Sequence, residues 1–159
     1  MKILFLYRYG ILGGVCTQIF HRLRHIDTNS KLEVHCGFGS NNGVDSMLGG
    51  YANLHFGLNQ GNTRKFVEEG GFDLVIIIDS EEYIAALRGW KGRPPLVIEV
   101  HTSIESNLEY LGNLEEGDAD IFVTVSEYMR ERICFHRSEA VGDLEIIKFE
   151  NVVDTELFK

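Results

Sequence analysis

Hydrophobic residues along this chain gather into short unbroken runs, separated by glycine-rich turns and by stretches of helical periodicity. The first run, Lys2-Ile3-Leu4-Phe5-Leu6-Tyr7, lacks polar alternation, as expected of a parallel strand covered on both faces. It turns through Arg8-Tyr9-Gly10-Ile11-Leu12-Gly13-Gly14 into a segment where Val15, Ile19 and Leu23 recur every four residues, which predicts a helix over 15–25. Further strands are predicted over 31–37, 73–79, 96–101 and 120–125, and an edge-like strand over 144–149. The β-branched run Leu74-Val75-Ile76-Ile77-Ile78 belongs mid-sheet. Helices are expected over 62–69, capped by Asn62-Thr63 and stopped at Gly70-Gly71, and from Ser80 onward, with Glu81 and Glu82 against its positive end. Thr102-Ser103 can cap a third segment running to about Leu111, and Ser126 a fourth over 127–135. Residues 44–60 are poorly patterned, with Tyr51-Ala52-Asn53-Leu54-His55-Phe56 as a candidate short strand. The alternation predicts an α/β domain, Rossmann-like, with a mostly parallel sheet and helices on both faces.

In such a sheet ligands bind outside the carboxyl ends of the strands. That singles out Gly13 and Gly14, Asp79, Ser80 and Glu81, His101, Thr102 and Ser103, and Ser126 and Glu127. Two residues without Cβ permit positive φ and close approach of a ligand, and the following helix aims free N–H groups at the same place, which favours a phosphate. A tight turn also suffices to account for the glycines, and Ser80, Ser103 and Ser126 stand where helix caps are expected. His101 ends an apolar run at the ligand-facing edge, where a group able to donate or accept near neutral pH is useful. His21 and His25 share a helix face, but no third metal ligand accompanies them, so they read as a solvated face. Neither G-x-G-x-x-G nor a P-loop motif is present.

With 159 residues, 44% hydrophobic and 25% charged, the chain is expected to be one globular domain. A net charge of −9 without any basic run argues against nucleic acid as a partner. Met1-Lys2 leads straight into a strand-length run, and no apolar segment approaches the roughly 20 residues of a membrane span. The three scattered cysteines, Cys16, Cys36 and Cys134, suit buried thiols in a reducing cytoplasm rather than a disulfide framework or a zinc site.

Taken together, the opening Met1-Lys2-Ile3-Leu4-Phe5-Leu6, the Gly13-Gly14-Val15 turn, His101-Thr102-Ser103, Val125-Ser126-Glu127-Tyr128-Met129-Arg130 and the closing Asn151-Val152-Val153-Asp154-Thr155-Glu156-Leu157-Phe158 resemble the N-terminal domain of glycosyltransferase family 4, which has the GT-B fold. Val152 departs from the glycine usual in that family. The resemblance implies transfer of a sugar from a UDP- or GDP-sugar to an acceptor hydroxyl with retention, without a metal or other cofactor, in a cleft between two domains. It implies that Gly13 and Gly14 approach the donor phosphates or the acceptor, and that His101 contacts the donor sugar. The nucleotide site is expected in a C-terminal domain absent from this chain, with residues 150–159 as the junction and residues 1–159 inactive alone. Residues 37–61 would carry acceptor specificity, and an acceptor at a membrane periphery stays open. Two alternatives stand beside this reading. A GT-B sugar-nucleotide epimerase would recruit acids such as Asp79, Glu81 and Glu105 and need no acceptor; a lone non-enzymatic module would bind a sugar or a protein partner.

Overall fold

The computed structural model describes residues 1–26 and 31–151. The closing Asn-x-Val-Asp-x-x-x-Phe segment after Asn151, and with it most of the expected junction over 150–159, lies outside the described residues. The elements are β1 (Lys2–Tyr7), α1 (Gly14–Arg24), β2 (Glu33–Phe38), α2 (Val44–Leu48), β3 (Asn53–His55), α3 (Gln60–Gly70), β4 (Leu74–Ile78), α4 (Glu81–Leu87), β5 (Leu96–Val100), β6 (Ile121–Thr124), α5 (Glu127–His136) and β7 (Ile146–Lys148). The strands form one parallel sheet in the order β3-β2-β1-β4-β5-β6-β7. The fold is therefore the α/β, Rossmann-like arrangement expected, with β4 at the centre and β7 at an edge.

The chain runs outward from β1 to β2 and β3, then returns through α3 to the other side of β1. Right-handed crossovers in opposite directions put helices on opposite faces. Cys16, Ile19 and Leu23 of α1 and Val44 and Leu48 of α2 pack with Ile3, Phe5 and Ile78. Val67 of α3, Ile84 and Leu87 of α4 and Ile133 of α5 pack with Leu4, Leu6, Val75, Ile77 and Ile98. Successive residues of β1 thus enter two different cores, which is why that strand shows no polar alternation.

Three local expectations are corrected, and the candidate strand over 51–56 is found as β3. The segment after His101 forms 3₁₀ turns, Glu105–Asn107 and Glu109–Asn113, instead of one helix. Buried Leu108, Leu111 and Leu114 recur every three residues, the 3₁₀ period, and Thr102 Oγ1 accepts from the Ile104 amide at 3.3 Å in a local turn. Helix α3 is capped by Asn59, not Asn62-Thr63: Asn59 Oδ1 accepts from the Gly61 amide at 2.9 Å, and Asn62 Oδ1 accepts from the Asn59 amide at 2.8 Å. His21 is buried with its ring edge-on to Phe20, while His25 is exposed, so the pair does not share a solvated face. In the poorly patterned stretch, α2 and the three-residue β3 form, and His55 of β3 stacks on His35 of β2 with Nε2 2.8 Å from His35 Nδ1.

All three cysteines are free; Cys16 and Cys36 are buried and Cys134 is exposed. Burial pushes the Cys16 thiol up to about 11. No helix among the described residues is long and apolar enough to cross a membrane.

Candidate functional site

Because the chain leaves β1 for β2 on one side and arrives at β4 on the other, the loops that follow these neighbouring parallel strands diverge, opening a crevice at their carboxyl ends. A cleft of about 340 Å³ is lined by Tyr7, Ile11, Gly13, Gly14, Val15, His101 and Asn151 among others. A second, of about 780 Å³, is lined by Tyr7, Arg8, Asp79, Ser80, Glu81, His101, Thr102 and Tyr110 among others. Tyr7, Val15 and His101 belong to both, so the two are continuous.

Gly13 is the N-cap of α1 in extended backbone, φ −153°, and neither it nor Gly14 has positive φ. The expected conformational reason for these glycines is thereby removed. A Cβ on Gly14 would meet nothing within 4 Å, and one on Gly13 only the Ile11 side chain at 3.7 Å. The fold itself does not need glycine at either position; open space in front of an N-terminus that carries no side-chain cap and no acidic residue in its first turn does suit a ligand's approach.

His101 is held twice. Asp79, at the end of β4 with φ 42°, accepts from the His101 amide at 3.1 Å and the Thr102 amide at 3.0 Å, which fixes the turn after β5. Burial pushes the Asp79 carboxyl up to about 6 against the opposing pull of those amides and of His101. The ring is fixed from below: His101 Nε2 lies 2.6 Å from Glu99 Oε1, and Glu99 receives both Arg22 Nη atoms, at 2.8 and 2.5 Å. Glu99 is only 2% exposed. Hydrogen bonds from His101 and Arg22 hold its carboxyl at about 2 even though burial acts the other way. Since a carboxylate only accepts, the proton of a neutral His101 sits on Nε2, and Nδ1 is the nitrogen offered to a ligand as an acceptor. Arg22 also lies 4.9 Å under the Phe149 ring, linking α1 to the segment that brings Asn151 to the cleft.

The remaining sequence candidates divide. Glu81 lines the larger cleft and is exposed. Ser80 also lines it, but stands at the N-cap of α4 without capping it: its Oγ donates to the Ile78 carbonyl at 2.7 Å and accepts from the Arg8 amide at 3.1 Å, tying the β1 and β4 loops together. Thr102 lines the cleft beside His101. Ser103 is exposed and lines neither cleft, and Ser126, also outside both, caps α5 by accepting from the Met129 amide at 3.2 Å. Glu105 is taken up by Arg132 and by His136, the latter at 2.9 Å. Sequence reasoning missed Glu99, Arg22 and Tyr110. A lone charge inside Leu96-Val97-Ile98-Glu99-Val100 was a usable signal for Glu99, whereas nothing distinguished Arg22 from other basic residues in its helix.

No protein-family model matches the chain, and no curated protein matches it by sequence. Solved structures do match its fold. Anabaena Alr3699/HepE in complex with UDP and glucose superposes with a TM-score of 0.75 at 19% identity, over 99% of this chain and 46% of that one. The same protein in complex with UDP-glucose gives 0.74 at 19% identity, with the same coverage of 99% and 46%. An alpha-glucosyltransferase (AGT) in complex with UDP gives 0.57 at 15% identity, over 97% of this chain and 45% of that one. The chain thus shares the fold of the matched part of these proteins and spans a little under half their length.

Proposed function

We propose that this chain is the N-terminal, acceptor-side half of a retaining glycosyltransferase that moves a sugar from a UDP- or GDP-sugar to an acceptor hydroxyl. The observation that carries the reading is the pairing, across one cleft, of an uncapped helix start at Gly13-Gly14 with a histidine whose free nitrogen is set by a buried carboxylate. The likeness to proteins bound to UDP and UDP-glucose supports it. In this reading the α1 amides receive diphosphate oxygens, His101 Nδ1 accepts from a sugar hydroxyl, and a C-terminal domain of the same protein supplies the nucleotide site and closes the cleft against water. Residues 1–159 alone are then expected to give no measurable transfer, because half of the charge stabilisation is missing.

The test is Gly14→Ala in the protein that carries this domain. Alanine is preferred over glycine in a helix by about 0.5–1 kcal/mol, so the variant should be slightly more stable. A methyl group facing the ligand should nevertheless raise the KM for the sugar nucleotide by about tenfold, the effect of losing one charge-assisted hydrogen bond. Unchanged KM and turnover would remove Gly14 from the site, and a protein that turns over neither UDP- nor GDP-sugars in the presence of acceptors would overturn the assignment.

A further inference from the structure

The larger cleft is electrically one-sided. Asp79, Glu81, Glu82 and Glu109 line it, and the cation on that wall, Arg8, is 3.7 Å from Glu82. Asp79 is occupied by the His101 and Thr102 amides. Glu81 and Glu109 are both exposed, and neither carboxylate has an ion-pair or hydrogen-bond partner among the described residues. No group of three His, Cys, Asp or Glu among the described residues could hold a metal ion. Thr102, Ser106 and Asn107 add uncharged polar groups to the lining.

A second feature is independent of this charge. Tyr110 lines the same cleft, is 7% exposed, and its hydroxyl has no hydrogen-bond partner. Burial pushes its hydroxyl well above the ordinary value, with further upward contributions from Asp79 and Glu81, so it stands as a neutral donor in their field. A buried hydroxyl without a partner costs folding free energy, and a ligand oxygen would satisfy it.

We infer that this cleft is the acceptor subsite and that it selects a saccharide bearing a protonated amine, rejecting a phosphorylated one; this deepens the transferase reading and rests on it. The amine sits against Glu81 and Glu109, the ring hydroxyls meet Thr102, Ser106 and Asn107, and the Tyr110 hydroxyl donates to a ring oxygen. A phosphate would face like charge, and Arg8 on that wall is already paired with Glu82.

The test compares glucosamine, glucose and glucose 6-phosphate by amide chemical-shift titration of this chain at neutral pH. Glucosamine should bind about tenfold tighter than glucose, the worth of one charge-assisted hydrogen bond, and glucose 6-phosphate should not bind in the cleft. The double variant Glu81→Gln/Glu109→Gln should bring glucosamine and glucose to near equality. Tyr110→Phe should weaken both by about fivefold without changing their ratio, while raising Tm by roughly 2–10 °C, because the unmet hydroxyl is gone. Glucose 6-phosphate binding as well as glucosamine, shifts confined to residues outside the cleft, or a Tyr110→Phe chain that loses stability would each overturn the proposal. No sugar nucleotide enters this assay. Selection of glucosamine in a protein without transferase activity would uphold the charge selection and sink only the enzymatic reading.

Discussion

Arg22→Met should lower the stability of the domain by about 3–5 kcal/mol, the usual cost of stripping one partner from a buried ion pair. The geometry explains why a helix residue this far from the cleft matters. Arg22 reaches across from α1 with two N–H···O bonds, at 2.8 and 2.5 Å, to a carboxylate that is 2% exposed on β5. Without the guanidinium, Glu99 keeps only His101, and its charge stays beside Ile78, its buried apolar neighbour on β4. For a chain of this size the loss corresponds to roughly 6–20 °C in Tm. Replacing both members, as Arg22→Met with Glu99→Leu, should recover much of it, since the pair as a unit contributes far less than either half leaves behind. A single variant that costs under about 1 kcal/mol in urea unfolding would show that the pair is not desolvated in solution.

The same pair sets the acid limb of stability. The folded carboxyl of Glu99 is held at about 2, below the ordinary 4.5, by hydrogen bonds from His101 and Arg22. Between those values the unfolded chain binds more protons than the folded one, so stability falls as pH falls. The contribution is complete above about 4.5 and lost on approach to about 2. In Arg22→Met the Glu99 share of that limb should shrink, because one of the two groups that favour the ionised form is gone.

How much of this was legible depends on which distances the sequence encodes. Strand runs such as Leu74-Val75-Ile76-Ile77-Ile78 announce themselves by composition, and the α/β class with β4 mid-sheet follows from them. Strand order does not: nothing local tells that the chain turns back at β3, and it is that reversal which puts Gly14, Asp79 and His101 around one crevice. Caps were legible where one side chain faces one amide, as at Ser126, and misread at Ser80, whose hydroxyl is claimed by the Ile78 carbonyl and the Arg8 amide in another loop. The 3₁₀ turns after His101 went unseen because Thr102 and Ser103 look like a cap whatever follows them. Tyr110 reads as an ordinary core aromatic; only the fold shows that its hydroxyl has no partner.

His101→Ala in the protein carrying this domain should cut turnover by about 10²–10³, the loss typical of removing one preorganised polar contact to the reacting centre, with little change in folding stability. Stability is spared because Glu99 keeps both of its bonds to Arg22. The more telling variant is Glu99→Gln, which changes no atom of the cleft. Arg22 donates to both carboxylate oxygens and Oε1 is shared with His101, so the new amide gives up one Arg22 bond in either orientation, and with its NH₂ at the shared position it donates to His101. His101 Nε2 then becomes the acceptor, the proton moves to Nδ1, and the nitrogen facing the ligand changes from acceptor to donor. A sugar hydroxyl that donated to Nδ1 would now meet an N–H. Turnover should therefore fall nearly as far as in His101→Ala, with the histidine ring still in place and its ¹⁵N shifts reporting the exchanged tautomer. If Glu99→Gln exchanges the tautomer and leaves turnover untouched, His101 does not act through Nδ1. Equal losses of stability and activity in His101→Ala would make the histidine a strut for the turn after β5, and Asp79, which already holds that turn through two amides, the residue to follow next.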